Sequence, residues 1–151
     1  MGSISLSVQT RLAHRGLGVA SLFPPPGTFE TLGGRVAIAR LVDGLYQRIE
    51  TDNLLRPAFG RDLVGEREKL KLFCAAWFGG TPGYFNKAWP PGLKAAHAGI
   101  FISRGMAGRW VGHFLAACAD VVKDPIIVAQ IKPFVLRLAL ELVNRSDEPA
   151  P

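Results

Sequence analysis

The chain has 151 residues, of which 48% are hydrophobic and 20% charged, and this fits one globular domain with a substantial core. The formal net charge is +6, but the basic residues are scattered and form no run, so the charge does not indicate a nucleic-acid-binding surface. A charged residue or a proline interrupts every apolar stretch, and the sequence therefore predicts no membrane span.

Residues 1–27 differ in composition from the rest of the chain. They contain arginine and serine but no Asp or Glu, and they end in Pro24-Pro25-Pro26-Gly27, which cannot continue a helix. We expect a flexible N-terminal extension over 1–27, a folded domain over 28–147 and a short tail over 148–151. We expect a cytoplasmic protein. The alternative is that, in a eukaryotic cell, the extension is an organelle-targeting segment.

Helical spacing of apolar residues begins after the prolines. The first long helix is predicted from an apolar stripe with polar residues on the opposite face. Pro57 and Gly60 bracket Phe59 in a turn, and a second helix ends at Gly79-Gly80 because glycine readily adopts a left-handed cap. The stripe of the first helix comprises Val36, Ala39, Val42, Leu45, Tyr46 and Ile49, and that of the second comprises Glu66, Leu70, Phe73, Cys74 and Trp77.

A loop rich in proline and glycine follows over residues 81–92, and a short helical piece is predicted over residues 93–98. The next helix is expected from a cap at Ser103 to Val122. The last helix begins with Asp124 as its cap and Pro125 in its first turn, where proline is tolerated. No alternating strand pattern occurs, so the predicted fold class is all-α.

The chain has two cysteines, Cys74 and Cys118, both within apolar helical segments. Two cysteines without a CxxC pair make neither a disulfide framework nor a zinc site. We therefore predict two buried thiols that pack as small apolar side chains, which fits a reducing compartment.

Several segments, in register, resemble truncated haemoglobins. The opening Thr28–Gly34 with its Gly-Gly pair and the helix Leu41–Ile49 with its tyrosine resemble the start of that family, and Glu68–Pro82 resembles its E helix. His97 falls where the proximal histidine is expected. Trp110 falls where group II members carry a tryptophan. The chain therefore resembles a truncated, 2-on-2 haemoglobin, most like group II, over about residues 28–147.

This resemblance implies a two-on-two helical sandwich around haem, with His97 as the iron ligand. A neutral imidazole is the usual protein ligand of globin haem iron, and without a CxxCH motif the haem is expected to be haem b, held non-covalently. The resemblance further implies haem contacts from Phe59, Lys69, Leu70, Phe73 and Tyr84. Lys69 is expected to meet a propionate. Distal contacts to a bound gas are expected from Tyr46, Trp110 and Glu66.

Two functions follow from the resemblance, and a third from composition alone. The first is reversible binding of oxygen, nitric oxide or carbon monoxide, for oxygen transport, storage or sensing. The second is a redox activity, nitric oxide dioxygenase (nitric oxide detoxification) or peroxidase-like, which needs an external reductase because the sequence has no flavin or nicotinamide fingerprint. The third is a haem-free basic helical module, which the lack of a basic stripe disfavours. The oligomeric state stays open.

Overall fold

A computed structural model describes residues 22–82 and 91–145. Every regular element in these residues is helical, as the sequence predicts. The helices are α1 (Thr28–Leu32), α2 (Gly34–Glu50), α3 (Leu63–Trp77), α4 (Pro91–His97), α5 (Arg104–Val122) and α6 (Pro125–Glu141), with a 3₁₀ turn at Arg56–Ala58.

The long helices form two packed pairs. Helix α2 packs on α3, and α5 packs on α6, while α2 also packs across α5 and so joins the two pairs. The interface between the pairs is the core, where Leu45, Phe114 and Val135 are fully buried. At the crossing of α2 and α5, Gly44 lets the backbones approach, since a Cβ there would lie 3.3 Å from the Cβ of Ala117. In the described ranges, no helix is long and apolar enough to cross a bilayer.

The buried face of α2 differs from the predicted stripe at one end. Val36 was expected to be buried but is 74% exposed. It precedes Leu45 by nine residues, about two and a half helical turns, so the two side chains point to opposite faces. Ile38 and Leu41 take the buried positions instead. Val42, Leu45, Tyr46 and Ile49 are buried as expected, whereas Ala39 is only partly buried.

Helix ends follow the predicted signals. Ser103 Oγ accepts a hydrogen bond from Met106 N at 3.2 Å, and Asp124 Oδ1 accepts one from Ile126 N at 2.9 Å. Helix α3 ends at Trp77, just before the predicted Gly79-Gly80 stop, and Gly79 has a φ of +103°. Gly80 N then bonds back to Ala75 O at 2.7 Å, which closes the last turn.

The predicted N-terminal extension reaches into the packed domain at its last residues. Leu22 is buried, and its carbonyl oxygen accepts a hydrogen bond from Trp77 Nε1 at 2.6 Å. Phe23 also packs against the core. Leu22 and Phe23 thus pack with the domain although they precede the triple proline. Residues 1–21 and the tail 148–151 lie outside the described residues.

Candidate haem and gas-ligand site

Tyr46 lies in the middle of the core face of α2 and is only 4% exposed. Its ring meets the edge of Phe59, with ring centroids 5.7 Å apart and planes at 79°. Within 22–82 and 91–145, no atom forms a hydrogen bond with the Tyr46 hydroxyl. Burial, and next the charge of Glu66, raise the pKa of this phenol well above its usual value. The hydroxyl therefore keeps its hydrogen and is an unused buried donor.

Phe59 follows the 3₁₀ turn and is half-buried against the core. Its backbone is fixed by Arg56, whose Nη1 donates to Phe59 O at 3.2 Å and to Gly60 O at 3.1 Å. Asp52 stabilises this turn, because its Oδ1 accepts a hydrogen bond from Leu54 N at 2.9 Å. The position of the aromatic ring beside Tyr46 is thus determined by the polar turn that precedes it.

The α3 residues proposed as haem contacts follow one side of that helix. Leu70 and Phe73 are half-buried and pack against the core, and the Phe73 ring stacks on Trp77 with centroids 6.3 Å apart. Glu66, one turn earlier, is half-buried as well. Lys69 is exposed and has no ion pair among the described residues, whereas Lys71 bonds to both Asp43 and Glu68.

Trp110 lies on α5 and is half-buried, its ring 5.2 Å from that of Phe114. Its indole N–H forms no hydrogen bond in the part of the chain that the structure describes. Two apolar rings with unused donors, Tyr46 and Trp110, thus project from different helices of the core. Tyr84, also expected at the haem, lies outside the described residues.

His97 is the last residue of α4 and is half-buried. An open cleft of about 470 Å³ is lined by Pro57 and Ala58, which precede Phe59, and by Gly99, Ile100 and Phe101, which follow His97. Neither His97 nor Phe59 is itself among the residues that line the cleft. The cleft is therefore bordered by the two segments that carry the predicted iron ligand and the predicted aromatic haem contact.

His113, the other histidine within the described residues, has a different environment. Its Nε2 lies 2.7 Å from Asp52 Oδ2, and Arg109 Nε donates to the same carboxylate at 3.0 Å. The Asp52 side chain is only 2% exposed, and the hydrogen bonds from His113, and next from Arg109, hold the pKa of this carboxyl far below its usual range. His113 is thus engaged by a carboxylate, and we expect that it does not bind iron.

Sequence reasoning did not find the Asp52 cluster. A signal was present, because an Asx residue directly after a helix commonly accepts hydrogen bonds from the backbone two or three residues on. The partners on α5 could not be identified from the sequence, since they are 57 and 61 residues away.

Both cysteines are buried and free, as predicted, and burial raises the pKa of the Cys118 thiol to about 11.

The residues present fit a haem. The wall residues of α3 and the rings of Phe59 and Phe73 supply apolar surface, and His97 offers an imidazole of the kind that binds haem iron. The Tyr46 O–H and the Trp110 N–H form no hydrogen bond within the described part of the protein. Lys69 is an exposed cation without an ion pair there. An imidazole, apolar side chains and donors without a hydrogen-bond partner in the described residues are groups that a haem site needs.

Comparisons with known proteins agree with this description. The bacterial-like globin family matches residues 27–144. The group 2 truncated haemoglobin of Bacillus subtilis is 29% identical over 123 residues, which cover 79% of this chain and 89% of that protein. The crystal structure of the group II truncated haemoglobin of Bacillus anthracis is 28% identical and has a TM-score of 0.73, covering 82% of this chain and all of that one.

A third relative is the truncated haemoglobin of Bacillus subtilis whose X-ray structure is described as oxygen-avid. It is 28% identical with a TM-score of 0.68, covering 78% of this chain and 98% of that one. The chain belongs to the bacterial-like globin family. Within it, the fold is the truncated, 2-on-2 globin fold, with most resemblance to group II.

Proposed function

We propose that the protein holds one haem b non-covalently through His97 and reversibly binds oxygen and other diatomic gases, including nitric oxide and carbon monoxide. The globin family implies haem and gas binding in general. The haem iron supplies one coordination position for such a gas when it is bound. The rest of the proposal concerns what the side chains of this chain contribute.

The observation that carries the proposal is the unused hydroxyl of Tyr46. A buried hydroxyl without a partner costs free energy, so such groups call for an explanation, and a ligand is one. The raised pKa keeps the phenol neutral, and the hydroxyl can therefore donate a hydrogen bond at physiological pH. A diatomic gas that acquires partial negative charge would accept it, and its release would slow.

The other predicted site residues have distinct roles in this proposal. Trp110 would donate a second hydrogen bond from its indole N–H, from the opposite helix pair. Phe59, Leu70 and Phe73 would pack on the macrocycle and exclude water, with Tyr84 as a further contact, and Lys69 would pair with a propionate. Glu66 is half-buried near Tyr46, and we expect it at the entrance of the pocket.

The test is Tyr46→Phe, with Ser103→Ala as the matched control. Each variant removes one buried hydroxyl, but that of Ser103 caps α5. Tyr46→Phe should speed oxygen release in stopped flow by about one to two decades, because one hydrogen bond to a partly charged ligand is worth roughly 1.5–3 kcal/mol. Its Tm should not fall. Ser103→Ala should lower Tm and leave the release rate unchanged.

A change of less than about twofold in Tyr46→Phe would show that the donor lies elsewhere. Trp110 and Glu66 would be the next residues to substitute. Mixing the oxygen-saturated ferrous protein with nitric oxide, with and without a reductase, separates gas carriage from the dioxygenase alternative. Sustained nitrate formation only with the reductase would identify an enzyme.

A further inference from the structure

Asn144 connects the end of α6 to the segment around His97. Its side-chain Nδ2 donates to Ile100 O at 2.8 Å and to His97 O at 3.3 Å, while its Oδ1 accepts from Ile102 N at 3.0 Å. The backbone adds two bonds, from Asn144 N and Arg145 N to Ile102 O, at 2.9 and 3.1 Å. The residue thus fixes the turn over 97–102 at both of its ends.

Helix α4 is short and is exposed over Lys94, Ala95 and Ala96, so contacts from α6 matter for its position. It has seven residues, well below the length at which an isolated helix persists in water. Lys94, Ala95 and Ala96 are exposed, so they bury little apolar surface. The last carbonyl groups of a helix have no partners within it. The His97 carbonyl oxygen accepts a hydrogen bond from Ile100 N at 3.1 Å inside the turn, and the amide of Asn144 adds a second donor from outside the turn.

We propose that Asn144 is the positioning residue of the proximal histidine, in that it sets the backbone from which the His97 imidazole meets the iron. This rests on the proposed role of His97 as the haem ligand. Only a carboxamide fits the contact. The turn presents two carbonyl oxygens and one N–H, and Asn offers donors and an acceptor on one short side chain. A carboxylate would keep the acceptor and face both carbonyls with negative charge.

A second link between the same two segments provides a control. Lys94 Nζ lies 3.3 Å from Glu141 Oε2, and both side chains are largely exposed. This ion pair also joins α4 to α6 but does not touch the backbone over 97–102. Exposed pairs of this kind contribute little to stability. Glu141→Gln therefore breaks a link between α4 and α6 while leaving the histidine turn intact.

The experiment compares the ferrous haem protein as wild type, Asn144→Asp, Asn144→Ala and Glu141→Gln. Resonance Raman measures the iron–histidine stretching band, and transfer to excess apomyoglobin measures haem loss. In both Asn144 variants we expect the band to shift or broaden and haem loss to speed by about tenfold, as for the loss of one or two hydrogen bonds. Glu141→Gln should match wild type in both measurements.

Asn144 variants that lower Tm but keep the wild-type band and haem-loss rate would overturn the inference, since Asn144 would then be only a structural residue. If one Asn144 variant does not fold, the other still gives both readouts. A wild-type protein that takes up haem without a His97-dependent band would instead refute the proposed function, and the positioning role with it. A band that changes in Glu141→Gln as much as in Asn144→Asp would also overturn the specific role of Asn144.

Discussion

The tyrosine side and the histidine side of the proposed site are built in different ways. Tyr46 lies on a long helix whose neighbours Val42 and Leu45 are completely buried, so packing along α2 fixes it. His97 ends a seven-residue helix with exposed residues before it, and hydrogen bonds from Asn144 fix its backbone. The contrast teaches that a rigid donor can come from core packing, whereas the proposed iron ligand depends on polar contacts from a distant segment.

The largest expected effect is the loss of haem on removal of the His97 imidazole. His97→Ala should purify without stoichiometric haem, while His113→Ala should retain it, because the His113 ring already pairs with Asp52. Pyridine haemochrome titration and the visible spectrum measure the haem content. Equal haem content in both variants, with an unchanged ferrous spectrum in His97→Ala, would place the iron ligand elsewhere.

Removal of the N-terminal residues should have the next largest effect, and its size depends on where the chain is cut. A protein beginning at Leu22 should melt like the full chain. One beginning at Thr28 loses a buried leucine, worth about 1.5–3 kcal/mol, and the hydrogen bond that Trp77 donates to its carbonyl. Urea unfolding of the two proteins gives the difference. If the two proteins unfold at the same urea concentration, residues 22–27 contribute nothing to stability. The dispensable extension would then reach residue 27, as the composition suggested.

How much could be predicted differs between the two sides. The spacing of apolar residues gave α2, α3, α5 and α6, and caps such as Ser103 gave their starts, because these signals are local. The short helix before His97 was also predicted, over 93–98 where the structure has Pro91–His97, but the contact from Asn144 was not, since that residue lies 47 positions away. The contacts of Asp52 with α5 could not be predicted for the same reason. Local patterns predict helices well, but hydrogen bonds between distant polar residues emerge only from the folded chain.

A smaller loss of stability is expected where α3 meets α1. The ring of Phe29 lies directly against Gly80, where no Cβ can be placed without displacing it, and Phe29 N donates to Phe78 O at 3.0 Å. Gly80→Ala should therefore lower the free energy of unfolding by about 1–3 kcal/mol through overpacking. Gly112→Ala is the control, because nothing lies within 4 Å of its Cβ position.

In Gly112→Ala, replacing a glycine within α5 should raise stability by up to about 1 kcal/mol. Chemical denaturation measures both variants. The two alanine substitutions should thus have opposite signs. A Gly80→Ala protein as stable as wild type would mean that Phe29 can move aside, and that the turn after α3 does not determine the position of α1.

The smallest expected effect concerns the Asp52 cluster, and it depends on pH. Because the hydrogen bonds from His113 and Arg109 lower the pKa of Asp52 in the folded state, its charge stabilises the fold above the pKa of the unfolded chain, about 3.9. This stabilisation is lost as the pH falls through that value towards the folded-state pKa.

An asparagine at position 52 cannot titrate but keeps an acceptor for the turn. Asp52→Asn should therefore lower Tm by about 3 °C at neutral pH, with the difference from wild type shrinking below about pH 4. Differential scanning calorimetry across this range measures it, and Asp120→Asn, which removes an exposed ion pair with Arg48, is the control with a smaller shift. A difference between wild type and Asp52→Asn that stayed constant from pH 7 to pH 3 would show that the charge of Asp52 adds nothing, and that its hydrogen-bond geometry alone supports the turn before Phe59.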